Sequence, residues 1–230
     1  YWVQVEGEPT PEQLQQLRPA TGTAWNSEDW VQWASGVLKA FDEFRLLCAL
    51  RRGPWGVEGL NQRVASELKH RKLIDNDHGW YEGRPVLVTR NDYSLGLMNG
   101  DIGIVLNLPQ ADDTQPGRMN LRVAFPRNDG TGEVRFVLPS RLVEVETVYA
   151  MTVHKSQGSE FNHTALLLPD ALNPVLTKEL LYTGITRAKN WFSLIEACPG
   201  VFEGAVSRNV QRLSGLALQL QAELAKESQQ

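Results

Sequence analysis

The sequence predicts an α/β protein in which a parallel-sheet domain is interrupted by a small β-barrel. Three observations carry this. Continuous apolar runs of strand length at 44–50 (FRLLCAL), 164–169 (TALLLP) and 191–195 (WFSLI) read as strands buried in a parallel sheet. Segments with helical spacing of apolar residues lie around them. Between the first and second runs, about sixty residues hold four or five short strand candidates separated by turn chemistry, the pattern of a small barrel.

Along the chain, the first forty residues are rich in Pro, Gln and Glu. In WNSEDWVQWASGVLKAFDEF, Trp30, Trp33, Val37, Leu38 and Phe41 recur at helical spacing, with Asn26 or Ser27 as candidate cap. Such an aromatic stripe reads as core or docking surface. The strand at 44–50 is followed by the turn RRGPWG and a helix striped by Val57, Leu60, Val64 and Leu68. Basic residues and glycines thus sit at a strand's C-terminal end, where open α/β sheets bind ligands. PVLVTR, IGIVLN, LRVAF and EVRFVLP are the barrel strands, placed at 83–146, with NDYSLG, MNGD, PQADDTQPG and RNDGTG as turns. TALLLP is then a buried strand, 177–190 a helix and WFSLI another buried strand. Val210, Leu213, Leu216, Leu220 and Leu224 stripe a last amphipathic helix.

Composition is that of an ordinary globular domain: 42% hydrophobic, 22% charged, with no apolar run long enough to cross a membrane. The start YWVQVEGEPTPEQ has neither the basic region nor the apolar core of a signal peptide. It also lacks an initiator methionine, as expected of a fragment or processed product. Two cysteines make no disulfide framework; Cys48, in an apolar run, reads as a small buried hydrophobe, and a reducing cytosol fits. His70, His78, His154 and His163 are not spaced as a zinc site, so no metal bound by protein ligands is expected. The net charge of −4 does not suggest a strong nucleic-acid binder, but its distribution is uneven. Residues 1–44 are acidic, whereas 45–72 carry Arg45, Arg51, Arg52, Arg63, Lys69, Arg71 and Lys72 against Glu58 and Glu67. A solvated helix face is the plain reading of that patch, and contact with a phosphate chain the functional one.

MTVHKSQGSEF, 151–161, holds a Lys-Ser pair but not the glycines that precede it in a phosphate-binding loop: none occurs between Gly132 and Lys155. Two further stretches, LLYTGITRAKN (180–190) and RPVLVTRNDYSLGLMNGDIGIVL (84–106), complete a pattern with VYAMTVHKSQGSEF. Together they resemble the C-terminal half of superfamily 1 DNA helicases, most of all the RecD family, the alpha subunits of the bacterial exonuclease V (RecBCD) complex. The resemblance spans roughly 41–218, and FRLLCALRRGPWGVEGLN is similar to the family's fourth motif.

The resemblance implies a second RecA-like (P-loop NTPase-type) helicase domain interrupted by an SH3-like barrel, divided as 1–82, 83–146 and 147–230. It makes 151–161 motif V, with Thr152 and His154 toward single-stranded DNA and Gln157, Gly158 and Glu160 toward nucleotide, Glu160 accepting from a ribose hydroxyl. Lys155 and Ser156 are then not a broken P-loop. Arg187 becomes the motif VI arginine finger, which supplies lasting positive charge to a phosphoryl group in transfer; its plain alternative is a helix-end arginine paired with a surface carboxylate. Arg51 and Arg52 compete for the motif IV contact to the γ-phosphate. The sequence does not separate them, although Arg51 directly follows the apolar strand. Asn91 and Asn99 are DNA-binding candidates, and with Asp101 they also suit turns. Tyr182 suits packing first and a ligand contact second; His163 reads as an ordinary strand-edge residue.

No Walker A loop and no acidic magnesium-binding motif is present, so ATP with Mg²⁺ would take most of its ligands from another half of the motor. The chain alone is expected to be inactive. The resemblance further implies 5′→3′ movement on DNA, RecB and RecC as partners, a cytoplasmic location and a role in double-strand-break repair. A competing expectation is a non-catalytic module, derived from a helicase domain, that docks DNA or protein.

Overall fold

The computed structural model describes residues 16–19, 27–110, 118–127 and 133–209. Its elements are α1 (Glu28–Asp42), β1 (Phe44–Cys48), α2 (Val57–His70), β2 (Pro85–Val88), β3 (Ile102–Pro109), β4 (Met119–Pro126), β5 (Val134–Val137), β6 (Val145–Thr147), β7 (Ala150–Thr152), β8 (Phe161–Leu168), α3 (Lys178–Ile185), β9 (Ala188–Glu196) and α4 (Val201–Val206). The strands form two sheets. One is parallel, in the order β7-β1-β8-β9; the other is antiparallel, in the order β5-β4-β3-β2-β6.

The parallel sheet is covered on both faces, which explains why β1 and β8 read as unbroken apolar runs rather than alternating ones. On one face Cys48, Ala150 and Leu167 meet Leu60 of α2. On the other, Leu47, Met151, Leu166 and Leu168 meet Leu180 and Leu181 of α3 and Val201 and Ala205 of α4. α2 turns inward through Leu60, Asn61 and Ala65, while Val64 and Leu68 are only half-buried. The reason is Asn61: its amide donates to the Ala150 carbonyl (3.2 Å) and accepts from the Ala150 N–H (2.9 Å), closing part of the free edge of β7.

The antiparallel sheet curls around Val86, Val88, Leu97, Val105, Val123, Phe125 and Val137. Among the described residues its outer strands, β5 and β6, do not pair with each other, so the barrel is open along that seam. Its other face is covered by α1, whose Trp30, Ala34 and Leu38 pack on Ile104, Leu106, Leu108 and Ala124. The aromatic stripe is therefore core, and it belongs to the antiparallel sheet although its neighbour in sequence is β1. Arg18 reinforces this by bonding the Asn107 carbonyl (2.8 Å), pairing with Glu82 (3.1 Å) and lying over Trp30 and Trp33. The insertion begins and ends at one place, since Val148 N–H donates to the Pro85 carbonyl (3.0 Å).

Several expectations need correction. Ser27 is the N-cap of α1 but makes no capping bond, and its hydroxyl is buried without a partner; Asn26 lies outside the described residues. The helix expected at 177–190 ends at Ile185, because its chain turns at Thr186 and Arg187 to enter β9. Among the described residues WFSLI is not a buried strand: β9 is the sheet's edge there, and Trp191 and Ile195 are 57% and 43% exposed. β6 and β7, three residues each, were not separable in the sequence; they belong to different sheets, and only Val148 and Tyr149 lie between them. The amphipathic stripe from Val210 to Leu224 lies outside the described residues.

Candidate functional site

β7 and β8 both lie parallel to β1, on opposite sides of it. The segment 153–160 must therefore carry the chain from the C-terminal end of β7, across β1, to the N-terminal start of β8. Val153 is buried in the core shared with α3. Ser156 is fully buried, and its hydroxyl donates to the Val153 carbonyl (2.8 Å), so it is a structural turn residue and not a phosphate ligand. Thr152, half-buried at the end of β7, accepts the Lys155 N–H on its hydroxyl (3.2 Å). His154, Lys155, Gln157 and Glu160 are exposed. Gly158 adopts φ +87°, which favours glycine, and space is open where a Cβ would stand. Among the described residues the side chains of Gln157 and Glu160 make no hydrogen bond or ion pair.

Arg187 sits at the turn between α3 and β9 and reaches this crossover. Its guanidinium donates to the carbonyls of Ser159 (3.0 Å) and Thr183 (3.2 Å) and to the Thr186 hydroxyl (3.3 Å). Its own carbonyl accepts from Phe161 N–H (2.8 Å). All the acceptors are neutral, so its charge is not cancelled by a carboxylate among the described residues. The surface-ion-pair alternative fails here. The structure thus brings Arg187 together with the turn that carries Gly158 and Glu160.

Arg51 and Arg52 lie at the opposite end of the parallel strands, following β1, and are not brought together with Arg187. Arg51 pairs with Glu146 of β6, whereas Arg52 is exposed and has no ionic partner among the described residues. The loop they begin is closed on itself. Val57 and Glu58 N–H groups donate to the Leu50 and Arg51 carbonyls (3.0 and 3.2 Å), which uses up donors that a helix N-terminus would otherwise offer to an anion. A Cβ at Gly56 would stand 2.4 Å from the Arg52 carbonyl oxygen, so this tight turn excludes larger residues.

Asn91 and Asn99 do form a turn, through the Asn99 N–H on Asn91 Oδ1 (2.7 Å), and Asp101 accepts the Met98 N–H (2.8 Å). Asn99 then reaches across to the crossover, where its Oδ1 accepts from Lys155 Nζ (2.8 Å). Asn99, Lys155, His154 and Thr152 therefore share one neighbourhood at the start of the crossover. Tyr182 is 69% exposed, which overturns the packing reading in favour of a surface available for contact. His163 packs edge-on to Phe44, with Nε2 2.9 Å from the Ser193 hydroxyl.

A cleft of about 660 Å³ opens beside these elements, lined among others by Asp42, Asp101, Lys155, Glu160, Phe161 and Lys189. Among the described residues no group of three or more His, Cys, Asp or Glu is placed to hold a metal ion, and no helix is long and apolar enough to cross a membrane. Sequence reasoning missed Asn61, whose position one residue from an apolar stripe was a usable signal. It counted Arg45 in the basic face of 45–72, whereas Arg45 is buried on β1 and belongs to no solvated surface.

Comparisons with known proteins bear on this geometry. Residues 147–195 match the UvrD-like helicase C-terminal domain, and residues 59–125 match the SH3 domain of ATP-dependent RecD-like DNA helicases. The chain is 38% identical over 192 residues to the RecBCD enzyme subunit RecD of Haemophilus influenzae, covering 83% of this chain and 27% of that protein. It is 41% identical over 186 residues to the same-named subunit of Mycobacterium tuberculosis, with 81% and 30% covered. With the ATP-dependent RecD2 DNA helicase of Deinococcus radiodurans it shares 31% identity over 156 residues, 64% and 19% covered. The chain spans less than a third of the length of these relatives. The parallel-sheet unit has the fold of a helicase C-terminal domain, and the antiparallel unit that of its SH3 insertion, as the sequence led one to expect.

Proposed function

We propose, from a chain that is similar over four-fifths of its length to RecD subunits, that this is the second motor domain of an ATP-driven DNA helicase subunit, carrying an SH3-like insertion at 83–146 between 1–82, a helical lead-in and the first part of the motor domain, and 147–230, its remainder. The observation that carries the reading is Arg187: a guanidinium without a carboxylate partner among the described residues, bonded to the turn that presents Glu160. ATP with Mg²⁺ takes its P-loop and metal ligands from a first motor domain; this chain adds Arg187 as the finger on the γ-phosphate and Gln157, Gly158 and Glu160 on the nucleotide side, Glu160 at the ribose. The open space above Gly158 supports close approach of a ligand to the backbone. Thr152, His154, Asn91 and Asn99 face single-stranded DNA from the opposite end of the crossover. Arg52, without an ionic partner among the described residues, is placed to meet a phosphate of the DNA, while Arg51 is held by Glu146. The partners are single-stranded DNA and the RecB and RecC subunits, in the cytoplasm, with 5′→3′ movement during double-strand-break repair.

The chemistry asked of the protein is electrostatic. A loose phosphoryl-transfer transition state spreads negative charge over the equatorial oxygens, and a guanidinium stabilises it without titrating. The test is DNA-stimulated ATP turnover by the full-length subunit with Arg187→Ala, measured beside its affinity for single-stranded DNA. A fall in kcat of about 10³-fold with affinity nearly unchanged is expected. Unchanged turnover would instead favour a non-catalytic docking module.

A further inference from the structure

Among the described residues Arg45 is the one charged side chain that is buried, at 1% exposed. It stands on β1 with its guanidinium carbon 4.4 Å from the ring centre of Phe41 and 4.8 Å from that of Phe161. Its ionic partner is Asp42 (2.9 Å), and its Nε and Nη1 make no hydrogen bond. Burial pushes its pKa down to about 10, which still leaves it protonated at neutral pH. Such a placement costs folding free energy. Unpaired buried donors are penalised, and a hydrophobe of similar volume commonly fills a site of this kind at no loss of stability. Costs of this sort persist where a neighbouring site makes use of them.

What Arg45 holds is Phe161, the first residue of β8. Phe161 immediately follows Glu160, and its N–H is bonded to the Arg187 carbonyl. A second set of contacts pins the same strand start: Asn162 donates to Glu43 and accepts from Asn190. The last residues of α1, the start of β8 and the start of β9 are thereby locked together around one flat cation. A planar guanidinium suits this, since it stacks on two rings at once as an ammonium does not.

We infer that Arg45 is a positioning residue for the nucleotide: clamped between Phe41 and Phe161, it sets where β8 begins and so where Glu160 and Arg187 stand. The inference rests on the nucleotide-side assignment of Glu160 proposed above. It makes Arg45, which touches no substrate, a determinant of how the ribose is read.

The experiment compares kcat/KM for ATP and for 2′,3′-dideoxy-ATP in the full-length helicase with single-stranded DNA, for the wild type, Glu160→Ala, Arg45→Met and Arg45→Lys. Losing a hydrogen bond to a charged acceptor changes such a ratio by about tenfold. Glu160→Ala is expected to bring the ratio toward one. Arg45→Met and Arg45→Lys are expected to lower it at least about threefold, although neither residue contacts nucleotide. A general loss of stability lowers both rates together and leaves the ratio alone. Where Arg45→Met does not yield folded enzyme, Phe41→Leu removes one ring of the clamp without touching a charge and takes its place. A wild-type ratio in the clamp variants with a collapsed ratio in Glu160→Ala overturns the positioning role alone. A wild-type ratio in Glu160→Ala overturns the ribose assignment and the inference with it.

Discussion

Lys155 Nζ donates a 2.8 Å hydrogen bond to Asn99 Oδ1, tying the crossover between β7 and β8 to a loop of the antiparallel sheet 56 residues earlier in the chain. Both side chains are exposed, so the bond is worth little taken singly. Its interest is in coupling. A double-mutant cycle with Lys155→Ala and Asn99→Ala, read by urea unfolding of the chain, is expected to show an interaction of about 0.5–1 kcal/mol. Strict additivity, within about 0.3 kcal/mol, would mean that the two units do not communicate through this contact.

Arg51 and Arg52 are adjacent in sequence but differ in company. Glu146 holds Arg51, and nothing among the described residues holds Arg52. In the full-length subunit Arg52→Ala, at the strand end that also carries Thr152, is therefore expected to weaken the affinity for single-stranded DNA by about tenfold or more, the scale of losing one charge-assisted phosphate contact. Arg51→Ala should leave it within about threefold. The reverse order would show that the Glu146 pair opens in the working enzyme.

Asn61 satisfies both backbone groups of Ala150, a residue that is fully buried. Asn61→Ala leaves a donor and an acceptor unpaired at the edge of the parallel sheet, a loss of about 2–4 kcal/mol. Gln62→Ala, one position on and exposed, is expected to stay within about 0.5 kcal/mol. Chemical denaturation of the two variants checks this, and equal effects would refute the edge-closing role.

The Cys48 thiol is buried, and desolvation pushes its pKa up to about 12, only partly offset by its bond to the Leu50 carbonyl (3.3 Å). At pH 8 its thiolate fraction is then on the order of 10⁻⁴, while Cys198 is exposed. An aromatic disulfide reagent should titrate one thiol in the native protein and two after denaturation, matching the two cysteines of the sequence. Two fast-reacting thiols in the native state would contradict the burial of Cys48.

The strands and helices around the core were legible because their signal is local: an apolar run on β1 or β8 reports burial on both faces, and the spacing of Trp30, Leu38 and Phe41 reports a helix. The motif stretches were legible as well, since residues 151–161 and 180–190 keep their wording within single segments of chain. β9 defeated the same logic. WFSLI reads as buried, yet a strand's place at the edge of a sheet is set by which strand it pairs with, and that is not written in its own residues. β6 and β7 were too short for any period to show.

By itself the sequence determined the fold class and the interruption of one α/β unit by a β-rich one, and it named candidates for a nucleotide and a phosphate chain. Only the tertiary structure decided how they are grouped. It placed α1 on the antiparallel sheet, spent Arg51 on Glu146 while leaving Arg52 without an ionic partner among the described residues, and set Arg187 against Ser159, 28 residues away in sequence. It also buried Arg45 against the rings of Phe41 and Phe161. The physical reason is that composition and spacing encode what a residue needs from its surroundings, whereas pairing between distant strands determines which neighbours supply it.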